Sequence, residues 1–116
     1  MSPVNPRDET HAALVRSSIA DTARALEFRQ IPFIEGVRKI AALRFELPTD
    51  VHEQDFMLFV GVASQADHIP NAEVRHLCAS RWLEQCDQDA SELETFYGEQ
   101  VTGACRRLIE RFSDAA

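Results

Sequence analysis

The stretch DFMLFVGVASQADHIP, residues 55–70, decides the fold, because its apolar first half is compatible with either a buried strand or a helix. Apolar residues recur at helical steps from Phe56 onward, but periodicity alone cannot settle so short a run. Upstream, Asp50 and Glu53 have the spacing of a capping box, in which each side chain meets a backbone N–H at the start of a helix. No other stretch offers a strand to pair with, so the sequence predicts a helix over residues 50–66.

Two features inside this stretch lead to further expectations. Gly61 has no side chain, and we interpret it as the point where a second helix approaches closely. After Ala66, the polar run 67–71 with Pro70 predicts a loop that ends the helix. The Asp67 side chain is expected to cap the backbone of that loop.

Residues 6–28 and 32–46 carry the patterns of two more helices. Asn5 followed by Pro6 is typical of an N-cap with proline in the first helical position, and apolar residues then follow at three- and four-residue steps. The second pattern ends before Pro48 and is apolar on most sides, so this helix is expected to be central.

The last third of the chain carries one apolar stripe from Ala79 to Phe112, which predicts a long C-terminal helix. A break near residues 87–91 is left open, because Ser91 and Glu94 could form a second capping box. The sum is an all-α fold, an antiparallel bundle of four to five helices. It is expected to form a single helical domain over the whole chain, residues 1–116, with residues 1–5 and 113–116 frayed.

The net charge of −7 at pH 7 is concentrated in two parts of the chain. Twelve of the nineteen acidic residues lie in the segments 45–74 and 82–105, which contain no Lys or Arg. An acidic surface repels phosphate backbones, so we expect no nucleic-acid partner, whereas a basic protein partner is compatible with the charge. The alternative is that these acids only keep a small protein solvated.

Signals for secretion, membrane insertion and disulfide formation are missing from the sequence. Residues 1–18 lack the basic start and apolar run of a secretory signal, and no stretch approaches the roughly 18 apolar residues of a membrane span. Cys78, Cys86 and Cys105 have no CxxC spacing, which argues against a disulfide framework and a zinc knuckle. We therefore expect a cytoplasmic protein with reduced cysteines, no membrane contact and no cofactor.

The candidate binding site combines the loop at 64–76 with the acidic residues of 84–99. The residues expected to contact a protein partner are Asp67, His68, Trp82, Glu84, Asp87 and Glu92. Tryptophan is favoured at the energetic centre of interfaces, although Trp82 could equally close one end of the core. The expected partner is a basic protein, whose charge the acidic surface would complement.

Metal-assisted hydrolysis is the alternative function for the same region. Asp67, His68, Glu73 and His76 are residue types that could bind a divalent ion. Their spacing matches no established ligand motif, and a di-iron bundle would need a second Glu-x-x-His pair and two further Glu. Since the sequence also lacks a nucleophile elbow and a glycine-rich phosphate loop, we expect no catalytic residue and no enzymatic activity.

Self-association is a third interpretation. The predicted helix from Trp82 to Phe112 could pack against the same helix of a second copy, which would make the chain a structural homodimer. The sequence leaves the oligomeric state open.

Four groups of residues carry a resemblance to known proteins: Glu35–Leu43 (EGVRKIAAL); Asp55 with Phe59-Val60 and Ser64-x-x-Asp67-x-x-Pro70; Trp82; and Tyr97-x-x-x-Val101-x-x-x-Cys105-x-x-Leu108-Ile109. Through these groups, over about residues 30–112, the chain resembles a family of small bacterial helical proteins without assigned activity. Some similar proteins look like immunity proteins that neutralise a toxin from a neighbouring gene, so the resemblance implies a protein-binding role without established catalytic residues. The chain departs from the family pattern at Gln65, where an acid is usual.

Overall fold

The computed structural model describes residues 6–47 and 54–112, and these fold into an all-α bundle without strands. Within these two ranges, four α-helices and one 3-10 helix follow one another, with bounds α1 Pro6–Glu27, α2 Phe33–Arg44, α3 Gln54–Gln65, the 3-10 helix Ala72–Leu77 and α4 Ser80–Phe112. The predicted fold class is confirmed.

The stretch that decides the fold is a helix, α3, as its apolar spacing indicated. Phe56, Phe59 and Val62 are buried on one side of α3, at the three-residue steps that a helix brings to one face. The predicted capping box at Asp50 and Glu53 lies outside the described residues.

The helices α1 and α2 run antiparallel. His11 Nε2 near the start of α1 lies 3.3 Å from Glu46 Oε1, just beyond the end of α2. At the other end of the pair, Leu26 packs on Gly36.

Side-chain bonds show the same antiparallel arrangement for α3 and α4. Arg107 Nη2 lies 2.8 Å from Asp55 Oδ1 at the start of α3, and Gln65 Nε2 at its end donates to the Tyr97 hydroxyl over 2.7 Å. Residue numbers therefore rise along α3 as they fall along α4.

Gly36, and not Gly61, is the glycine at which two helices approach closely. A Cβ atom on Gly36 would lie 2.5 Å from the Leu26 side chain and 2.8 Å from Ile31 Cδ1. A Cβ on Gly61 would meet nothing within 4 Å, so the interpretation of Gly61 as a close approach is wrong. The side of α3 that carries Gly61 faces outward, because the apolar step Phe56, Phe59 and Val62 defines the buried side.

The long C-terminal helix runs without a break from Ser80 to Phe112. At about 1.5 Å per residue it is about 50 Å long, which accounts for the 54 Å length of the molecule. Side chains around the possible break bond along the helix: Gln85 donates to Asp89, and Gln88 donates to Glu92. Such pairs four residues apart stabilise a helix, so the second capping box does not interrupt α4.

Two groups of buried side chains lie along α4. The larger group joins all four α-helices and contains Val15, Ile19, Ala20, Ala23, Leu26, Val37, Ile40, Ala41, Phe56, Phe59, Val62, Val101, Ala104, Cys105, Leu108 and Phe112. The smaller group lies nearer the start of α4 and contains Ile34, Ala66, Ile69 and Cys86. It contains no residue of α1.

Candidate protein-binding surface

The N-terminal part of α4, residues 80–100, extends past the end of α1 and carries most of the exposed acidic residues of the helix. Arg106 Nε donates to Glu27 Oε1 over 2.8 Å, which places the last residue of α1 beside the second half of α4. Exposed carboxylates follow at Glu84, Asp87, Glu92, Glu94 and Glu99, with no Lys or Arg between Arg81 and Arg106. This part of α4 therefore presents an acidic surface, here called the acidic half-helix.

The loop after α3 meets the acidic half-helix through His68. His68 Nε2 lies 2.8 Å from Asp89 Oδ2, and the rings of His68 and Trp82 make an edge-to-face contact with centroids 6.0 Å apart. Bonds from His68 and then from Gln85 lower the pKa of Asp89 below its ordinary value, because they stabilise the carboxylate. His68, Trp82 and Asp89 thus form one contiguous cluster.

Arg38 of α2 anchors the loop after α3 through hydrogen bonds. Its Nη2 donates to the carbonyl oxygens of Ala66 and Ile69, the second over 2.6 Å, and its Nη1 donates to Asn71 Oδ1 over 3.2 Å. A planar guanidinium suits several acceptors at once, which an ammonium group could not match in the same geometry. Arg38, rather than the predicted cap by Asp67, is the anchor that the structure shows for the loop.

The 3-10 helix is tied to the acidic half-helix by a two-bond ion pair. Arg75 Nη1 donates to Asp87 Oδ1 over 2.9 Å, and Nη2 donates to Oδ2 over 3.0 Å. The hydrogen bonds from Arg75 lower the pKa of Asp87, and the same bonds raise the pKa of Arg75. Asp87 is therefore already paired within the chain.

Large apolar side chains border the acidic surface. Trp82 is 44% exposed, Phe96 is 71% exposed and Leu77, at the end of the 3-10 helix, is 75% exposed. Trp82, Asp89 and Phe96 follow one another at steps of seven, so they share one side of α4. Exposed aromatic residues beside charges are typical of protein interfaces.

On the opposite side of the acidic half-helix, a groove separates α4 from the turn between α1 and α2. It consists of two adjoining cavities of about 880 Å³ and about 560 Å³, both lined by Pro32, Phe33 and Glu94. The first extends along α4 to Arg106, and the second reaches Arg75 and Asp87.

The four residues of the alternative metal site do not form one. Among the described residues, no group of three or more His, Cys, Asp or Glu side chains could hold a metal ion. His68 bonds with Asp89, whereas Asp67, Glu73 and His76 are exposed. The geometry therefore gives no support to metal-assisted hydrolysis at this place.

Two of the three cysteines are buried in the interior of the bundle. Cys86 and Cys105 are buried, and burial raises the pKa of both thiols, that of Cys105 to about 12. Because the thiolate is the reactive form, neither cysteine is suited to nucleophilic chemistry near neutral pH.

The structure brings some of the predicted contact residues together and separates others. His68 and Trp82 are in contact, while Glu84 and Glu92 lie exposed on the acidic half-helix. Asp67 is exposed next to His68, and Asp87 is paired with Arg75.

Sequence reasoning missed the roles of Asp89 and Arg38. The seven-residue step from Trp82 to Asp89 could have indicated that the two residues lie together, since it places both on one side of a helix. Arg38 gave no such signal, because its acceptors lie 28, 31 and 33 residues away and two of the three are main-chain atoms.

Comparisons with protein-family models, with curated proteins and with solved structures found no match. The resemblance to small bacterial helical proteins therefore stays a prediction. None of the helices in the described part of the chain combines the length and apolar character needed to cross a membrane.

Proposed function

We propose that the chain is a non-enzymatic protein-binding module whose acidic half-helix masks a basic surface of a protein partner, in the manner of an immunity protein. The observation that carries this proposal is the run of exposed carboxylates from Glu84 to Glu99 on a helix that extends beyond α1. A surface of one charge sign raises the association rate of a partner of opposite charge and favours it over other partners.

The cluster of His68, Trp82 and Asp89 supports a binding role for the same region. Trp82 offers an exposed apolar surface, and aromatic residues supply much of the binding energy in interfaces. Its neighbours are held by Arg38 and by the Arg75–Asp87 pair, so the surface is ordered before a partner arrives. Preorganisation of this kind reduces the entropy lost on binding.

The experiment measures partner binding as a function of charge. The partner is captured from an extract of the source organism, purified, and titrated against the wild type and against the variant Glu84→Gln with Glu92→Gln. The control variant Glu9→Gln with Glu110→Gln removes the same charge from exposed residues outside the acidic half-helix.

We expect a basic partner whose affinity falls as salt rises from low to physiological concentrations. The Glu84 and Glu92 variant should weaken binding by roughly three- to tenfold, as expected for two charges at the rim of an interface, while the control changes it little. A partner that binds the wild type and both variants equally at all salt concentrations would refute the proposal.

A further inference from the structure

The groove beside the acidic half-helix lies in line with α1, beyond the last residue of α1. Ser91, Gly98 and Cys105 lie at steps of seven and therefore share one side of α4. Cys105 is buried there beside Glu27, the last residue of α1. Ser91 and Gly98 lie on this same side of α4, beyond the end of α1, and line the groove.

A tight turn ends α1, so α1 does not cover the side of α4 that carries Ser91 and Gly98. Gln30 N–H donates to the Ala25 carbonyl over 2.7 Å and Arg29 N–H donates to the Leu26 carbonyl over 3.2 Å, the two bonds of a Schellman motif. Arg29 has the left-handed φ of 56° that this motif requires, and the chain then turns into α2. The larger cavity, of about 880 Å³, begins at this turn.

The floor of the groove is shaped to accept a helix. A Cβ atom on Gly98 would meet nothing within 4 Å, so the space above this glycine is open. Small side chains allow two helices to approach closely, and the partly buried Ile31 and Phe33 supply an apolar wall. A helix in this position would cover the side of α4 that α1 leaves exposed beyond Glu27.

The charges around the groove favour a cationic occupant. Four arginines line the groove, and three of them are already engaged: Arg38 with main-chain carbonyls, Arg75 with Asp87, and Arg106 with Glu27. The fourth, Arg29, is exposed at the turn after α1, and among the described residues the groove carries more unpaired carboxylates than this one cation. Glu94 and Glu99 line the same groove without an ion-pair partner among the described residues. A second copy of this chain, with a net charge of −7, is a poor electrostatic match for such a rim.

We propose that this groove binds a cationic amphipathic helix of the protein partner, which lies as a continuation of α1 with its apolar side on Phe33 and Gly98 and its Lys or Arg side chains beside Glu94 and Glu99. This inference rests on the proposed function and specifies the partner element that the chain recognises. Helices that place an apolar face in a groove are a common mode of recognition.

The test uses the full chain and a labelled synthetic helix of about 18 residues, with Leu at helical spacing and Lys elsewhere. A peptide of the same composition with alternating Leu and Lys tests the helical period, and a Glu-for-Lys peptide tests the charge. Binding is measured by fluorescence anisotropy, and sedimentation gives the mass of the complex.

Gly98→Leu fills the groove, and Gly61→Leu is the matched control, because both glycines are helical and have open space where a Cβ would lie. We expect binding of one Lys-containing helix per chain, weakened at least roughly tenfold by Gly98→Leu and unchanged by Gly61→Leu. Both control peptides should bind at least roughly tenfold more weakly.

Three results would overturn the inference: equal binding by the Glu-containing peptide, no effect of Gly98→Leu, or a homodimer of the wild type that Gly98→Leu dissociates, since the groove would then hold a second copy. The same pair of glycine variants is titrated against the purified natural partner. If that partner responds to Glu84→Gln with Glu92→Gln but not to Gly98→Leu, the proposed function stands and the groove inference fails.

Discussion

Gly36 shows how one residue can limit the distance between two helices. Its missing side chain leaves room for Leu26 and Ile31, which close the end of the α1 and α2 pair. Gly61 and Gly98 have no such neighbour, although all three glycines lie inside helices. The tertiary neighbour, and not the local sequence, therefore determines what each glycine contributes.

Replacement of Gly36 by Ala should destabilise the protein by about 1–3 kcal/mol, because the new methyl group forces buried side chains to move. Gly61→Ala and Gly98→Ala should instead stabilise it by roughly 0.5–1 kcal/mol, since alanine favours helix and meets no obstacle. Urea unfolding of the three variants measures these differences. A Gly36→Ala protein as stable as Gly61→Ala would contradict the packing described.

Arg29 occupies a backbone conformation that glycine adopts at much lower cost. Its φ of 56° at the end of α1 costs a non-glycine residue roughly 1–2 kcal/mol, of which the greater chain entropy of unfolded glycine cancels a part. Arg29→Gly should therefore raise the free energy of unfolding by about 0.5–1 kcal/mol. Arg29→Ala removes the same side chain but keeps the strain, and thermal unfolding should show no gain for it. Equal stability of the two variants would argue against the left-handed turn.

The Asp87 carboxylate should titrate below the ordinary value of about 3.9, because Arg75 donates two hydrogen bonds to its ionised form. NMR titration should show this midpoint rising in Arg75→Gln. The stabilisation by the pair is fully present above the unfolded-state pKa of about 3.9 and is lost as pH falls through the lower folded-state value. An unchanged Asp87 midpoint in the variant would mean that the pair does not form in solution.

At the scale of elements, most of the fold follows from the sequence. The apolar spacing in 6–28, 32–46 and 79–112 predicted α1, α2 and α4. The helix predicted over residues 50–66 is confirmed by α3 in the part that the structure describes, Gln54–Gln65. The 3-10 helix was not predicted, because six residues without a buried side chain carry no periodic signal. The sequence does not decide whether α4 is continuous, because Ser91 suits both a cap and a helix interior.

The candidate surface was less predictable than the helices. Acidic residues without nearby cations marked the acidic half-helix in the sequence, whereas the bonds that shape its surroundings join distant segments. Arg38 reaches Ile69, and His68 reaches Asp89 across 21 residues. Such contacts depend on how the helices pack, which spacing along the chain does not encode.

The loop between α3 and the 3-10 helix should depend on Arg38. Arg38→Gln removes hydrogen bonds to two main-chain carbonyls, each worth roughly 1.5–3 kcal/mol when the donor is charged. Hydrogen exchange should then accelerate at residues 66–71 more than in the middle of α1. Lys39→Gln, an exposed neighbour with the same loss of charge, is the control. Equal exchange in both variants would show that Arg38 does not hold the loop.

At the scale of the whole molecule, the bundle is asymmetric along its length. One end packs four helices around the larger buried group, while at the other end the described residues that cover the acidic half-helix are the start of α2, the loop after α3 and the 3-10 helix. The exposed acids, the His68, Trp82 and Asp89 cluster and the groove all lie at this second end. The four-helix packing and the candidate binding surface therefore lie at opposite ends of the molecule.

Site-specific photo-crosslinking in the source organism tests the binding role of the acidic half-helix most directly. A photo-reactive amino acid replaces Thr95, which is exposed among the carboxylates and leaves every charge intact, and in a control protein it replaces the exposed Ser17 of α1. If the acidic half-helix binds a basic protein, position 95 should crosslink to one such protein and position 17 to none. Crosslinks from position 17 alone, or from position 95 only to a second copy of the same chain, would contradict it.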